Sequence, residues 1–281
     1  MRWKLVNKMS EPIKTIETDK LSCKIGQRYL IKDITWQMYA GEHWVVYGSN
    51  GSGKTTLLSI ITGFQHATSG TVKICGENIT RTNALAMRKR IGFVSSAFFD
   101  KHYSKEAVLD IVLSGKYGTL GIAGEITLED IKLAKSLLKA LYLEEKIYCG
   151  FDMLSKGERQ NVMIARALFG KPDILILDEP CNGLDAYNRA HLFKIIKELA
   201  NQSVMNIIYV THYIEEIDST VFQNALLLKN GRVFAKGVLQ EVMTEENLSA
   251  LLNYDVCLYQ DARGAMSLDI MTESNIAALL N

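Results

Sequence analysis

The chain has 281 residues, 48% of them hydrophobic, with 32 basic residues against 31 acidic ones. Such a chain can bury a substantial core, and its balanced charge removes the broad basic footprint of a protein that lives on nucleic acid, so no nucleic-acid partner is expected. No apolar run approaches the roughly 20 residues of a membrane-spanning helix, and Met1-Arg2-Trp3-Lys4-Leu5 has charge but no apolar stretch behind it to make a secretory signal, which points to a cytoplasmic location.

Alternation from Ile13 through Cys23 and from Tyr29 through Met38, separated by Lys24-Ile25-Gly26-Gln27, predicts an antiparallel hairpin at the start. The pattern then changes. A short apolar run, Trp44-Val45-Val46-Tyr47, leads into Gly48-Ser49-Asn50-Gly51-Ser52-Gly53-Lys54-Thr55, and a helix is expected from Lys54 to Thr62. A turn at Thr68-Ser69-Gly70 precedes strands at Thr71–Cys75 and Ile91–Val94, the second running into Ser95-Ser96. From about 101 to 166 the chain reads as almost entirely helical, with Leu133, Ala134, Leu137, Leu138, Leu141 and Leu143 on one face. It is an insert between strands.

Asp173-Ile174-Leu175-Ile176-Leu177 does not alternate and ends in charge, the pattern of a parallel strand covered on both faces. A helix from about Tyr187 to Ala200 leads to a second buried run, Asn206-Ile207-Ile208-Tyr209-Val210, which ends at Thr211-His212. Ala225 to Val233 is a hairpin with an Asn-Gly turn, and from Thr244 onward a helix, one or two short strands and a last helix around 276–280 follow. The fold class expected is α/β: a mixed, largely parallel sheet with an N-terminal antiparallel β subdomain and an inserted α-helical subdomain at about 97–166. Residues 13–243 form the main domain and 244–281 an appendage. Five cysteines, Cys23, Cys75, Cys149, Cys181 and Cys257, are odd in number and lack metal-ligand spacing, so they read as reduced thiols, mostly core filler.

The run from Gly48 to Thr55, set between a strand and a helix, points to a nucleoside triphosphate. A glycine-rich turn lets successive backbone N–H groups converge on an anion without Cβ interference, and the helix behind it adds its positive end. Gly48, Ser49, Asn50, Gly51, Ser52, Gly53, Lys54, Thr55 and Thr56 are the candidate nucleotide-binding residues. Lys54 would reach the outer phosphates as a point charge, and the Thr55 hydroxyl would take a place on Mg²⁺. The bland alternative is a plain tight turn before a solvated helix start. Asp178 and Glu179, at the carboxyl end of a buried strand, offer two further roles: Asp178 on Mg²⁺ through its hydration shell, and Glu179 as the general base that orients the attacking water. The competing reading is a surface acidic pair before Pro180. In open parallel sheets ligands sit beyond the carboxyl ends of the strands, and the phosphate loop, the acidic pair and His212 all fall on that edge.

Leu154-Ser155-Lys156-Gly157-Glu158-Arg159-Gln160, leading into Val162-Met163-Ile164-Ala165-Arg166-Ala167-Leu168, resembles the signature loop and helix of ATP-binding-cassette (ABC) ATPases. The order of motifs is similar too: phosphate loop, helical subdomain, signature, Asp178-Glu179-Pro180, a D-loop at Asn182-Gly183-Leu184-Asp185 and a switch histidine at His212, the likeness covering roughly residues 13 to 240. The resemblance implies a phosphate-loop NTPase that binds and hydrolyses ATP with Mg²⁺, acting as a homodimer in which Ser155, Gly157, Glu158 and Asp185 contribute to nucleotide held by the other copy. His212 would sense the γ-phosphate and is grouped with Glu179 and Lys54 as catalytic. A cap-only reading also fits the signature, because Ser155 and Glu158 are spaced to close a capping box.

Two positions depart from the family. The glutamine that usually contacts Mg²⁺ after the strand Ile91–Val94 is replaced at Ser96, which is carried as a metal candidate beside Thr55 and Asp178. The aromatic residue that usually stacks on adenine falls on Ile25, leaving Tyr29 or Arg28 to cover the ring and modest discrimination between ATP and GTP. The serine pair Ser95-Ser96 resembles that of molybdate-type ATPases, the segment from Ser104 to Ile122 resembles the part of the helical subdomain that receives a membrane subunit, and the tail from Glu245 resembles that of metal, siderophore or oxyanion uptake ATPases. The implied function is the ATPase subunit of an importer, peripheral at the inner face of the membrane beneath separate membrane subunits. The alternatives are a soluble ABC ATPase acting on ribosomes, DNA or in regulation, and a simple phosphate-loop kinase, which leaves the signature unexplained.

Overall fold

A computed structural model describes residues 12–95, 105–202 and 205–271. The N-terminal hairpin forms with β1 over Lys14–Ile25 and β2 over Arg28–Tyr39, in antiparallel register from Lys14 opposite Tyr39 to Ile25 opposite Arg28. Gly26, with φ of 58°, takes the turn, a backbone conformation open to glycine at little cost. β4 (Ser69–Ile74) pairs on the other side of β1, and the two-residue β5 (Glu77–Asn78) closes a four-stranded antiparallel sheet in the order β2-β1-β4-β5.

The second sheet has six strands, β10-β9-β3-β8-β7-β6. Its strands are β3 (His43–Tyr47), β6 (Ile91–Ser95), β7 (Ile174–Asp178), β8 (Asn206–Thr211), β9 (Asn224–Lys229) and β10 (Arg232–Val238). All neighbours are parallel except β9 and β10. Every residue of β3, β6, β7 and β8 is buried, as expected of parallel strands with both faces covered. Trp36 of β2 meets Trp44 of β3 edge to face at 5.4 Å, joining the two sheets.

Among the described residues the helices in chain order are α1 (Lys54–Ile61), α2 (Ala84–Arg88), α3 (Val108–Ser114), α4 (Leu128–Ala140), α5 (Lys156–Phe169), α6 (Ala186–Gln202), α7 (Leu239–Val242) and α8 (Glu245–Leu252). Among the described residues, the stretch read as almost entirely helical holds three helices separated by loops and short 3₁₀ turns. Gly118 and Gly124 punctuate it, Gly118 at φ of 65°. The expected apolar face holds: Ala134, Leu138, Leu141 and Leu143 are buried, and Leu133 and Leu137 pack partly buried against the core. Each fully buried leucine contributes about 1.5–3 kcal/mol. Arg166 of α5 donates to Ser114 Oγ at 3.2 Å and to the Thr119 carbonyl at 2.6 Å, fixing α5 to the end of α3. After α8 a two-stranded hairpin follows, β11 (Val256–Gln260) with β12 (Met266–Ile270). The helix expected at 276–280 lies outside the described residues. The five cysteines are free; Cys23 and Cys181 are buried in the core and Cys75 and Cys149 pack partly buried against it, so core filling describes four of them.

Candidate functional site: a phosphate cradle at the sheet edge

Sheet register brings the candidate residues together. Tyr47, Thr211 and Leu227 lie level across β3, β8 and β9, Asp178 lies opposite Val210, and Ser95 opposite Asp178. The phosphate loop, the acidic pair and His212 therefore leave adjacent parallel strands at one edge, as the spacing predicted.

The loop between β3 and α1 turns on Gly51 and Gly53, with φ of 80° and 106°. A Cβ at Gly48 would lie 2.4 Å from the Leu228 carbonyl oxygen, and one at Gly53 2.7 Å from Ile31 Cγ2, so the backbone is packed too closely for any side chain there. Gly53 is the N-cap of α1 and offers no capping side chain, and the first turn holds no acidic residue. Its N–H groups and positive end are thus available to an anion. Ser52 Oγ is buried without a hydrogen-bond partner, a further unmet polar group inside the cradle. Lys54 is buried, and its ammonium donates to the Gly48 carbonyl at 2.7 Å and the Ser49 carbonyl at 3.3 Å. Burial lowers its pKa, while Glu179 and Asp178 pull it back up.

The wall opposite is the β9–β10 hairpin. Asn230 and Gly231, both at positive φ, form the tip; the Gly231 N–H donates to the Ser52 carbonyl at 2.9 Å, and the Gly231 carbonyl accepts from the Lys32 N–H at 2.7 Å. The Asn-Gly turn was legible in the sequence, but its place against the phosphate loop was not. The resulting cleft, about 460 Å³, is lined by Arg28, Tyr29, the loop, Thr55, Thr56, Glu179 and the hairpin tip. Of the two residues proposed to cover a base, both border it. Ile25 does not, and its side chain is 67% exposed.

Asp178 is buried, its Oδ2 accepting from Ser95 Oγ at 3.2 Å. Burial raises its pKa to about 6, with the Glu179 charge adding and Ser95 and Lys54 opposing. Ser95, not singled out from sequence, is thus the hydroxyl that meets the acid; Ser96 lies outside the described residues. Glu179 has φ of 48° although it precedes Pro180, a left-handed conformation held only where the surroundings enforce it. Its N–H donates to the Val210 carbonyl at 2.9 Å. Its Oε1 sits 3.0 Å from His212 Nδ1 and 3.8 Å from Lys54 Nζ. Base, switch histidine and loop lysine of the sequence reading therefore form one contact set.

The donor set fits a nucleotide with Mg²⁺. Among the described residues no group of three or more His, Cys, Asp or Glu could cage a metal, but one buried carboxylate and the Thr55 hydroxyl beside an anion cradle match the way Mg²⁺ is held jointly by protein and phosphate oxygens.

Ser155, Gly157, Glu158 and Asp185 do not line this cleft. Ser155 caps α5: its Oγ accepts from the Glu158 N–H at 3.3 Å, and Glu158 Oε2 accepts from the Ser155 N–H at 2.8 Å. The other Glu158 oxygen lies 3.7 Å from Lys146, so this carboxylate is engaged within its own subunit. Asp185 accepts from the Asn188 N–H at 2.8 Å, and a Cβ on Gly157 would lie 2.8 Å from the Asn188 side chain. Signature turn and D-loop are thus packed on each other.

A family model described as ABC transporter matches residues 31–182, more than half of the chain. YlmA of Bacillus subtilis (strain 168), described as an uncharacterized ABC transporter ATP-binding protein, is 39% identical over 240 residues, covering 85% of this chain and 90% of YlmA. Among solved structures, cbiO1 from Clostridium perfringens, part of the ABC transporter complex cbiONQ, is 26% identical with a TM-score of 0.71, covering 86% of this chain and 95% of that one. The ATP-binding cassette MJ0796, in a dimeric post-hydrolysis state bound to ADP and Pi, is 26% identical with a TM-score of 0.67, covering 80% and 98%. With the cradle, the acidic pair and the signature turn on one scaffold, the chain belongs to the ABC transporter family, as an ATP-binding cassette that hydrolyses ATP.

Proposed function

We propose that the chain works as a homodimer that closes head to tail on ATP and drives uptake of a solute through separate membrane subunits, from the cytoplasmic face of the membrane. The observation that carries this reading is the split of the anion-binding groups. Lys54, Thr55 and Glu179 line one cleft, with His212 in contact with Glu179 and Asp178 next to it in the chain, whereas the capped turn Ser155–Gly157 stands outside and needs a nucleotide from elsewhere. Support for the partners comes from cbiO1, which belongs to a larger complex, and from the dimeric MJ0796 cassette. Among the described residues no helix is long and apolar enough to cross a membrane, so the path for the solute is assigned to other chains. Residues 13–243 are the cassette, with the helical subdomain at about 97–166, and 244–281 the appendage.

In this reading the loop N–H groups and the α1 terminus hold the phosphates, and Lys54 shifts its ammonium from the loop carbonyls onto the outer phosphates. Mg²⁺, when bound, neutralises charge on the phosphate oxygens. Thr55 and Asp178 hold it, with Ser96 as a further candidate. Glu179 orients a water for in-line attack and takes its proton. His212 lies against the Glu179 carboxylate and senses the γ-phosphate. Ser155 and Gly157 of the second copy complete the cage, with Glu158 and Asp185 shaping that surface.

The test is Glu179→Gln, which keeps the side chain's shape and removes its basicity. ATP turnover should fall at least 100-fold, the range expected for loss of a positioned base, and ATP should then convert the protein from monomer to a stable dimer in size-exclusion chromatography. Turnover at the wild-type rate would remove Glu179 from the role of base.

A further inference from the structure

Behind the reactive pair lies a buried polar chain that the proposed roles leave unused. Cys181, Tyr209, Thr211 and Glu216 are between 0 and 2% exposed. The Tyr209 hydroxyl lies 3.0 Å from Glu216 Oε2 and 3.3 Å from Cys181 Sγ. One O–H makes one donation, so with the phenol given to the carboxyl the thiol S–H is left to donate to the phenol oxygen. Thr211 Oγ1 donates to the same Glu216 oxygen at 2.6 Å and accepts from the Tyr213 N–H at 3.0 Å. Burial pushes the Cys181 thiol up to about 11 and the Tyr209 phenol well above its usual value, so both keep their protons.

Each end of this chain is joined along the backbone to one of the two residues in contact at the site. Cys181 is two positions after Glu179, and Thr211 immediately precedes His212. Since His212 Nδ1 meets Glu179 Oε1 at 3.0 Å, the hydrogen-bonded run Cys181–Tyr209–Glu216–Thr211 and the backbone links 179–181 and 211–212 together close into a ring. A carboxyl this deep in the core is costly unless its hydrogen bonds are met. Here both of those made to Oε2 come from β8, and Thr211 brackets His212 by bonding on each side of it.

We propose that Glu216 is a positioning residue for ATP hydrolysis, which through Thr211 and Tyr209 sets the aim of His212 and the strained turn of Glu179. This rests on the site reading above, in which His212 and Glu179 serve hydrolysis. Glu216 touches neither reactant, so its loss should alter turnover and leave nucleotide binding alone.

A double-mutant cycle tests it. Thr211→Val is nearly isosteric and removes both bonds of the bracket. It should lower kcat about tenfold with KM for ATP changed less than about twofold, and Thr211→Ser, which restores the hydroxyl, should recover most of the rate. In a His212→Ala background Thr211→Val should lower kcat no further, because the residue through which it acts is gone. Wild-type kcat in Thr211→Val, or an equal loss in both backgrounds, would overturn the proposal, the second outcome marking a purely structural role. If His212→Ala itself turns over normally, the site reading fails first and takes the inference with it, a result distinct from the other two. Tyr209→Phe, which keeps the ring packed on Phe193 and Phe222 at 5.9 and 5.5 Å, runs the same cycle should Thr211→Val fail to fold.

Discussion

Asp178 shows how a single carboxyl records what a site is for. Its pKa of about 6 against the usual 3.8 has burial as its main cause, so the nucleotide-free fold holds a charge it would rather not hold. The raised value fixes the sign. Below about pH 4 the group is protonated in folded and unfolded chains alike and the penalty is absent; between about 4 and 6 the unfolded chain releases its proton first, and the penalty grows until it is complete above 6. At 1.36 kcal/mol per tenfold change in equilibrium, the gap corresponds to about 3 kcal/mol. Asp178→Asn should therefore stabilise the nucleotide-free protein by about 2–3 kcal/mol at pH 7.5 and by almost nothing at pH 4, read as the difference in urea midpoints at the two pH values. A gain that is the same at both pH values would place its origin in packing. The same variant should lose Mg²⁺-dependent ATP affinity, since the charge that weakens the empty fold is the one the cation would use.

Helix α5 separates two roles that a single motif combines. The capping box of Ser155 and Glu158 satisfies end groups of the helix within the monomer, and the proposed second role belongs only to the dimer. Aspartate caps a helix as well as serine does, whereas alanine gives up about 1 kcal/mol. Ser155→Ala should accordingly lower the monomer's stability by about that much. Ser155→Asp should leave the monomer's melting temperature near wild type while abolishing the ATP-dependent dimer in a Glu179→Gln background, because a second negative charge would face the γ-phosphate. If Ser155→Asp still dimerises on ATP, the turn is a cap and nothing more. This doubling explains what could be read from the sequence. Motifs whose residues are neighbours in the chain, such as the Gly48–Thr55 loop, the capping box and the Asn230-Gly231 turn, carry their geometry locally. So do the buried runs of β3, β7 and β8, whose lack of alternation announces their burial. The contacts that sequence could not supply join residues far apart: Gly231 on Ser52, Ser95 on Asp178, and Tyr209 on Cys181. No periodicity encodes these, because they arise only when the sheet order β9-β3-β8-β7-β6 is set. The region around 101–166 holds less helix than its apolar spacing predicts, because that spacing persists across loops that the glycines at 118 and 124 interrupt.

At the scale of the whole molecule, the cleft belongs to no single sheet. Arg28 and Tyr29 come from the antiparallel sheet, the loop and Glu179 from the parallel strands, and Asn230 and Gly231 from the hairpin that ends the six-stranded sheet. The C-terminal hairpin of β11 and β12 stands apart from this convergence. It attaches to the segment just after Glu216: the Met266 N–H donates to the Ile217 carbonyl at 3.3 Å, the Ser219 N–H donates to the Gly264 carbonyl at 3.0 Å, and Asp218 bridges Ala265. Met266, Val256 and Ile217 are 4, 5 and 1% exposed, so the hairpin covers real apolar area while contributing no residue to the cleft. Removing residues 254–281 would delete the buried side chains of Val256 and Met266 and the Met266 N–H bond to the Ile217 carbonyl, a loss of about 3 kcal/mol at the lower end of 1.5–3 kcal/mol per fully buried side chain. For a chain of this size each kcal/mol moves the melting temperature by about 2–4 °C. The shortened protein should melt about 6–12 °C lower and still bind ATP with a Kd within about twofold of the full chain, as measured by calorimetry and nucleotide titration. An unchanged melting temperature would show that the hairpin adds no cohesion. A large loss of ATP affinity would show instead that the turn after Glu216, left without its cover, disturbs the strand ends from which the cradle is built.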